Sequence, residues 1–453
     1  MKTVIAAINS RFIHSSLAAW YLKANCSELC GQVEVAEYTI NDITDYILMS
    51  LYAKHADVLA FSCYIWNMET VLKLADTVKK VSPGIKIILG GPEVSYESVM
   101  MLEKYSFIDF ILAGEGEQSL DLLLQYLNEN YQGLDEIEGL FYKEEGMLIK
   151  GKGGFALVKN LDSLKTPYTE QMLASLDNRI MYYESSRGCP FSCSYCISST
   201  FEGVRYFAME KVKNQLKCFI SRGIPQVKFV DRTFNCHKER AKEIFRFIID
   251  NAASTAFHFE VAADLFDDEM FKILSKAPVG LIQFEIGVQT TNSDCLTAID
   301  RKTDLSSVFK NTAKLIEKGK FHIHLDLIAG LPREDYESFK KSFDEVYRLS
   351  PNNLQLGFLK MLKGSRIRKE ASEYGYKFRE YPPYEVLENK YLSFDSVCEL
   401  KSIEEVVERY YNKGRFIKTL LYITSGFFSS AFEFYRSFAQ YNIKNGYLER
   451  PLA

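Results

Sequence analysis

The chain has 453 residues, 47% of them hydrophobic and 25% charged, which excludes a disordered, collagen-like or coiled-coil protein and leaves room for about three domains. Lysine and arginine (55) nearly balance aspartate and glutamate (59), so the net charge of −4 gives no reason to expect nucleic acid or a membrane as partner.

The first 130 residues alternate β-branched or apolar runs with amphipathic stretches, the pattern of a doubly wound parallel α/β sheet. Strands are expected at Thr3 to Ile8, Val33 to Tyr38, Val58 to Cys63, Ile85 to Gly90 and Phe107 to Leu112. In such a sheet the ligand lies beyond the carboxyl ends of the strands, which draws attention to the loops at 62–67, 90–95 and 114–117. Residues 131–178 read as a linker with a small hairpin. From Met181 onward, strand-like runs recur at Met181 to Glu184, Val227 to Val230, Phe257 to Ala262, Leu281 to Ile286, His322 to Leu327 and Leu354 to Leu359. With helices between them, they imply a partial βα barrel over 179–365, whose chemistry sits at the strands' C-terminal ends. The segment 366–453 is richer in aromatics, 19 of 88 residues, and reads as a helical cap; its 14 basic and 12 acidic side chains nearly cancel.

Lys2 is followed by eight uncharged residues before Arg11, which reads as an opening strand and not a signal peptide. The longest uncharged stretch worth testing, Thr419 to Phe432, has 14 residues and is too short to span a bilayer. A cytoplasmic location follows as an expectation, and with it reduced thiols for the ten cysteines. Cys26 and Cys30 sit four apart on an expected helix, as buried small hydrophobes would. Cys189, Cys193 and Cys196 form a CxxxCxxC group directly after the first barrel strand, close enough to face one inorganic centre from one loop. Three thiolates suit a 4Fe-4S cluster with one iron left open. Zinc and inert buried thiols are the alternatives, although a closed zinc site needs four ligands and the next cysteine is Cys218.

With its context, this triplet resembles the radical S-adenosylmethionine (SAM) superfamily. Phe229 to Asn235, Glu285 to Thr290 and Asp326 to Pro332 resemble three further strand-end elements of that family, with Arg333 departing from its usual glycine. The resemblance implies SAM on the open iron, Tyr195 beside adenine, and Asp231, Glu260 and Gln289 as SAM contacts. Strand-end carboxylates and amides suit an ammonium and ribose hydroxyls, while helix capping or arginine pairing would account for each of them equally.

A doubly wound domain ahead of such a barrel resembles the B12-binding radical SAM family, on Ser62, Tyr64, Trp66 and Asn67, then Gly90, Gly91, Pro92 and Glu93, then Gly114, Glu115, Gly116 and Glu117. The glycines would let a corrin approach the backbone. A dinucleotide fold would carry GxGxxG after strand one, and this chain does not. It also lacks the DxHxxG of cobalamin domains that supply a histidine to cobalt, which implies that the nucleotide tail is displaced with no histidine in its place; Trp66 or Tyr64 would then shield the lower face or pack in the core.

The resemblance implies a 4Fe-4S cluster, SAM and cobalamin as cofactors, and an electron donor such as flavodoxin or ferredoxin. The substrate would be an unknown small molecule or peptide, and the reaction methyl transfer to an unactivated carbon. The alternatives are a cobalamin-assisted radical rearrangement, cyclisation or oxidation, a methylthiotransferase-like enzyme with a second cluster on Cys26, Cys30 and Cys63, and a non-catalytic cobalamin-binding or redox-sensing protein.

Overall fold

The structure, a computed structural model, describes residues 1–144, 147–152, 154–176, 179–201, 203–252 and 254–448. Parts of the expected linker (145, 146, 153, 177 and 178) and the last five residues of the C-terminal segment lie outside the described residues. The chain divides into two compact units, Met1–Tyr182 and Tyr183–Ala453.

The first unit is built on a seven-stranded sheet: β1 (Lys2–Asn9), β2 (Gln32–Thr39), β3 (Val58–Ser62), β4 (Lys86–Gly90), β5 (Phe110–Leu112), β6 (Leu140–Glu144) and β7 (Met147–Lys150), in the order β2-β1-β3-β4-β5-β6-β7. Strands β1 to β5 are parallel, and β1 and β3 read as nearly continuous buried runs because helices cover both faces. On one face Val4, Ala6, Leu59, Phe61, Ile87 and Leu89 pack with Ile47, Leu51, Val71 and Leu74 of the helices Thr44–Tyr52 and Met68–Val81. On the other, Ile5, Ala7, Ala60 and Ile88 pack with Ala19, Leu120, Leu123 and Leu124 of the helices Leu17–Asn25 and Glu117–Leu127.

The expected strand positions hold, but β5 starts three residues late. Asp109 there accepts from Ile87 N (2.8 Å) and pairs with Lys79 (2.7 Å), so its side chain fastens the start of β4 before pairing begins. The stretch expected to be a linker is not one. Its hairpin, β6 and β7, pairs antiparallel with β5 and extends the sheet.

The second unit holds a six-stranded open sheet: β8 (Met181–Tyr183), then, after a short ribbon β9 (Ser186–Gly188) and β10 (Val204–Tyr206), β11 (Gln226–Phe229), β12 (Ala256–Val261), β13 (Ile282–Gln289), β14 (His322–Ala329) and β15 (Asn353–Phe358), ordered β15-β14-β13-β12-β11-β8. Strands β11 to β15 are parallel. Unlike the first sheet, these strands alternate strictly. Phe229, Phe259 and Phe284 interlock with Phe245 of the helix Lys238–Asn251, whereas Lys228, His258, Glu260, Gln283, Glu285, Gln289, His324 and Asp326 share the opposite face. A parallel sheet with one polar face is a βα barrel that leaves its interior open to a ligand.

The C-terminal segment belongs to this unit and is helical from Phe394 onward; the helical expectation fails before that, where Lys377–Phe378 and Val386–Glu388 form a short antiparallel pair after the single turn Arg366–Lys369. Phe432 and Tyr435 of the helix Ala431–Lys444 lie 5.5 and 5.8 Å from Phe343 on the helix Tyr336–Tyr347, and Lys340 pairs with Glu433 (2.5 Å). Tyr376, Tyr384, Tyr411, Phe432, Phe434 and Tyr435 are core, while Phe416, Tyr422, Phe427 and several other aromatics of the segment are exposed. Among the described residues no helix is long and apolar enough to cross a membrane.

Candidate active site

The cysteine loop is held by backbone and hydroxyl contacts that do not involve the thiols. Strand β9 enters it and β10 leaves it, paired antiparallel at Gly188↔Val204 and Ser186↔Tyr206. Gly188 has φ +105°, and a Cβ there would lie 2.3 Å from Gly203 O, so this clasp requires glycine. Ser194 N donates to Ile299 O (2.9 Å), Ser194 O accepts from Ile367 N (3.0 Å), and Ser199 Oγ donates to the carbonyls of Cys193 (3.1 Å) and Cys196 (2.6 Å). The Cys189 thiol meets Thr233 Oγ1 at 3.5 Å, and Cys193 accepts from Arg301 Nη1 at 3.7 Å. Burial pushes the Cys193 thiol up, with Arg301 acting against it.

Among the described residues, no three Cys, His, Asp or Glu side chains gather around a point where one metal ion would sit. An iron–sulfur cube meets three thiolates at three separate corners, and three cysteines on one short loop are such a donor set. The donor set fits the cube.

Beside this loop lies a cavity of about 210 Å³, lined by all three cysteines, Tyr195, Arg232, Glu260, Glu285, Gln289, Arg301 and Asp326. Strands β12, β13 and β14 supply its carboxylates in register, Glu260 opposite Glu285 and Gly287 opposite Asp326. Burial opposes ionisation of Glu285, but His258 (2.9 Å) and Lys228 (3.2 Å) outweigh it and hold the carboxyl at about 2. That fixed negative charge, after burial itself, pushes Glu260 up and Asp326 to about 8. Burial, then His322 and His258, push His324 down to about 4.

At the end of β13 the chain bulges between Gly287 and Gln289, and Gln289 takes a φ of +72°, a strained conformation for a residue with a side chain. A Cβ on Gly287 would lie 2.1 Å from Gln289 Nε2, so the glycine makes room for that amide. Arg301 donates to the Gly287 carbonyl and to Tyr195 Oη (3.2 Å). Three buried atoms around the cavity, Gln289 Oε1, Asp326 Oδ1 and Arg301 Nε, have no hydrogen-bond partner. Each such atom costs about 1–3 kcal/mol, so two acceptors and a cationic donor here suit a polar ligand that brings both hydrogen-bond donors and an anionic acceptor.

The structure brings Tyr195, Glu260 and Gln289 to this cavity but not Asp231. Asp231 is 1% exposed and accepts from Ser185 N (2.9 Å), Ser185 Oγ (2.7 Å) and Ser186 Oγ (2.5 Å). It fastens the loop between β8 and β9, which occupies the carboxylate expected for a ligand. Sequence reasoning missed Arg301, which stands in the turn after Ile299 with only its charge as a signal. Asp326 lay within a quoted motif without being singled out.

In the first unit, the expected loops are stitched together beyond the ends of β1, β3, β4 and β5: Cys63 N donates to Gly90 O (2.7 Å), Glu93 N to Cys63 O (3.3 Å) and Gly114 N to Ser95 Oγ (3.2 Å). The glycines serve this stitching. A Cβ on Gly91 (φ +109°) would lie 2.6 Å from Cys63 O, and one on Gly114 (φ +95°) 2.3 Å from Ala156 O, so their need for glycine comes from protein backbone and not from corrin space. The Cβ of a residue replacing Gly116 would meet Leu22 Cδ2 at 3.1 Å, while Gly90 is comparatively open, 3.6 Å from Leu112 O. Pro92 opens a one-turn helix, Glu93 and Glu117 are buried, and Glu115 accepts from Val158 N (2.7 Å).

Asn67 is likewise no free contact. It is 1% exposed and its amide donates to Ile8 O (3.0 Å) and Ser62 O (2.9 Å), tying β1 to β3. Trp66 and Tyr64 are not core: their rings stack at 4.5 Å and 4°, Trp66 is 43% exposed, and its Nε1 donates to Ile8 O (3.0 Å). This flat platform, with the buried Ser62 hydroxyl lacking a partner, fits a planar ligand rimmed by amides. His14 meets Tyr182 Oη at 2.5 Å, and His55 is exposed.

Cys26 and Cys30 do not share a helix. Asn25 donates to Tyr21 O (2.8 Å) and Lys165 O (3.3 Å), the helix ends there, and Cys30 lies on a separate turn. Cys30 packs on one face of the sheet and Cys63 on the other, so the two cannot reach one cluster.

Three family models match the chain: B12 binding domain over residues 3–124, Radical SAM superfamily over 183–346, and Protein of unknown function (DUF4080) over 372–452. It is 24% identical over 345 residues to 2-(S-pantetheinyl)-carbapenam-3-carboxylate methyltransferase of Streptantibioticus cattleyicolor, covering 72% of this chain and 50% of that protein. It is 26% identical over 302 residues to the cobalamin-dependent radical SAM methyltransferase TokK of Streptomyces tokunonensis, covering 63% of this chain and 44% of that one. The chain thus spans about half the length of these curated relatives. The solved radical S-adenosylmethionine methyltransferase TsrM of Kitasatospora setae, with cobalamin and a [4Fe-4S] cluster bound, shares the fold at a TM-score of 0.68 and 15% identity, covering 84% of this chain and 78% of that one.

Proposed function

We propose that this chain, a B12-binding radical SAM protein, is a cobalamin-dependent methyltransferase that acts on an unactivated carbon of a small molecule or peptide. The observation that carries the reading is the set of partnerless buried atoms beside the cysteine loop, Arg301 Nε, Gln289 Oε1 and Asp326 Oδ1, which match the two charges of an amino-acid end such as that of SAM. When bound, the 4Fe-4S cluster supplies the electron that cleaves SAM to a 5'-deoxyadenosyl radical, and cobalamin carries the methyl group.

The residues divide the remaining work. Cys189, Cys193 and Cys196 hold the cluster from a loop that is already fixed. Arg301 receives the carboxylate and, through its bond to Tyr195, sets the ring that faces adenine. Asp326 receives the ammonium, and Glu260 and Gln289 the ribose hydroxyls. Ser62, Tyr64 and Trp66 receive cobalamin, and the loops at Gly90 to Glu93 and Gly114 to Glu117 frame it. A one-electron donor such as flavodoxin or ferredoxin, in a reducing cytoplasm, completes the system.

Anaerobic reconstitution with SAM, a reductant and candidate extracts tests the reading. Methyl transfer requires 5'-deoxyadenosine and S-adenosylhomocysteine to accumulate in comparable amounts with a methylated product. Deoxyadenosine with an unmethylated product would replace methyl transfer with a rearrangement, cyclisation or oxidation; no SAM turnover under any reductant would remove the enzyme reading.

The carboxyl of Asp326, at about 8, gives a pH signature. Below that value it keeps its proton and offers an ammonium no charge, so SAM affinity should rise with pH, by up to about tenfold per unit well below 8, and level off above it. Asp326→Asn should flatten the profile. Equilibrium dialysis of SAM between about pH 6 and about pH 9 reads it, and an unchanged slope in the variant would detach Asp326 from the ammonium.

A further inference from the structure

We infer that the stretch 413–428, which joins the turn Val407–Asn412 to the helix Ala431–Lys444, is a contact surface for an anionic lipid bilayer. It is anchored at both ends. Before it, Asn412 accepts from Leu354 N (2.9 Å) and donates to Leu354 O (3.1 Å), which fastens the preceding turn, Val407–Asn412, to β15. After it, the helix Ala431–Lys444 docks through Phe432 and Tyr435.

Between the anchors, the helix Ile417–Gly426 buries only Leu420. Phe416, Ile417, Leu421, Tyr422 (67%), Phe427 (65%) and Phe428 are exposed. So many large apolar groups facing water in one short stretch mark an interaction surface and not a chance distribution.

Charge names the partner. From Arg409 to Phe432 the chain has four basic residues and no acidic one, although basic and acidic groups nearly cancel over the whole segment. Arg409 and Lys413 are neutralised by Glu405 and Glu408, and Arg415 and Lys418 have no ion pair among the described residues. Exposed aromatic and aliphatic side chains interleaved with free cations suit the headgroup boundary of an anionic membrane, where the rings enter and the cations meet phosphate. A second copy of this face is a poorer occupant, because a two-fold contact would bring the same cations together. The other exposed apolar stripe, Ile43, Tyr46, Met49 and Tyr52, is flanked by Asp42 and Asp45 and lacks this charge. The helix of ten residues is too short to span, so the protein would lie on the bilayer, an association that net charge conceals.

Sedimentation of the full-length chain with vesicles tests this. Vesicles of phosphatidylcholine with about a third phosphatidylglycerol should capture it, and phosphatidylcholine alone much less. High salt should release it. At about fivefold per cation, Arg415→Gln with Lys418→Gln should weaken capture about 25-fold, and both side chains are exposed. Tyr422→Ser with Phe427→Ser should weaken it as well. Absence of capture, equal capture by neutral and anionic vesicles, or capture unaffected by the charge variant would overturn the inference. So would a concentration-dependent dimer in analytical ultracentrifugation that the Tyr422→Ser, Phe427→Ser variant abolishes, because the surface would then belong to a second copy.

Discussion

Replacing Cys189, Cys193 and Cys196 together with alanine is expected to lower bound iron from about four atoms per chain to background, with loss of the visible charge-transfer absorbance and of all SAM cleavage. The fold should survive. The loop is held by the β9–β10 ribbon, by the backbone bonds of Ser194 and by Ser199 Oγ, none of which uses a thiol. The lost sulfur contacts, to Thr233 and Arg301, are long and weak at 3.5 and 3.7 Å. Iron analysis, absorbance and a far-ultraviolet circular dichroism melt on one preparation separate cluster loss from unfolding. Iron that stays at about four per chain would place the cluster elsewhere.

Arg301→Gln should weaken SAM binding by about 10²–10⁴-fold. Removing one partner of a buried charge pair leaves the other uncompensated, at about 3–5 kcal/mol. The same guanidinium also serves the protein, through Gly287 O and Tyr195 Oη, so the empty variant should lose about 1–3 kcal/mol of stability. The two effects are separable. Calorimetric titration of SAM into the folded variant reads the first and a denaturant melt the second. A stability loss with SAM affinity within about threefold of the parent would make Arg301 a purely structural group.

The features legible in the sequence were those set by local periodicity and spacing. The strand-like run Leu281 to Ile286 placed most of β13, which continues to Gln289, and the spacing of Cys189, Cys193 and Cys196 marked the loop. What escaped depends on contacts between distant residues. Asp231 looked like a ligand because its partners, Ser185 and Ser186, lie 46 and 45 positions away. Arg301 looked like an ordinary charge until the bulge in β13 turned Gly287 O toward it. The helix expected through Cys26 and Cys30 stops where Asn25 bonds Lys165, 140 positions on. Gly91 and Gly114 were recognised as necessary, but for a ligand, whereas the groups that exclude a side chain are the backbones of Cys63 and Ala156.

The docking of the helix Ala431–Lys444 on the helix Tyr336–Tyr347 also sets a timetable for synthesis. Tyr347 and Tyr435, 5.6 Å apart when folded, are separated by 88 positions in the chain. At about 5–20 residues per second, the ribosome imposes a wait of about 4–18 s between them. During that interval Phe343 lacks Phe432 and Tyr435, and Tyr347 has only Phe343 and, once it is made, Tyr411 beside it; secondary structure and collapse, complete within milliseconds, cannot supply the missing rings. The barrel's outer wall therefore closes only as the last helix emerges, and a nascent chain stalled before it presents aromatic surface to chaperones or to its neighbours on the same message.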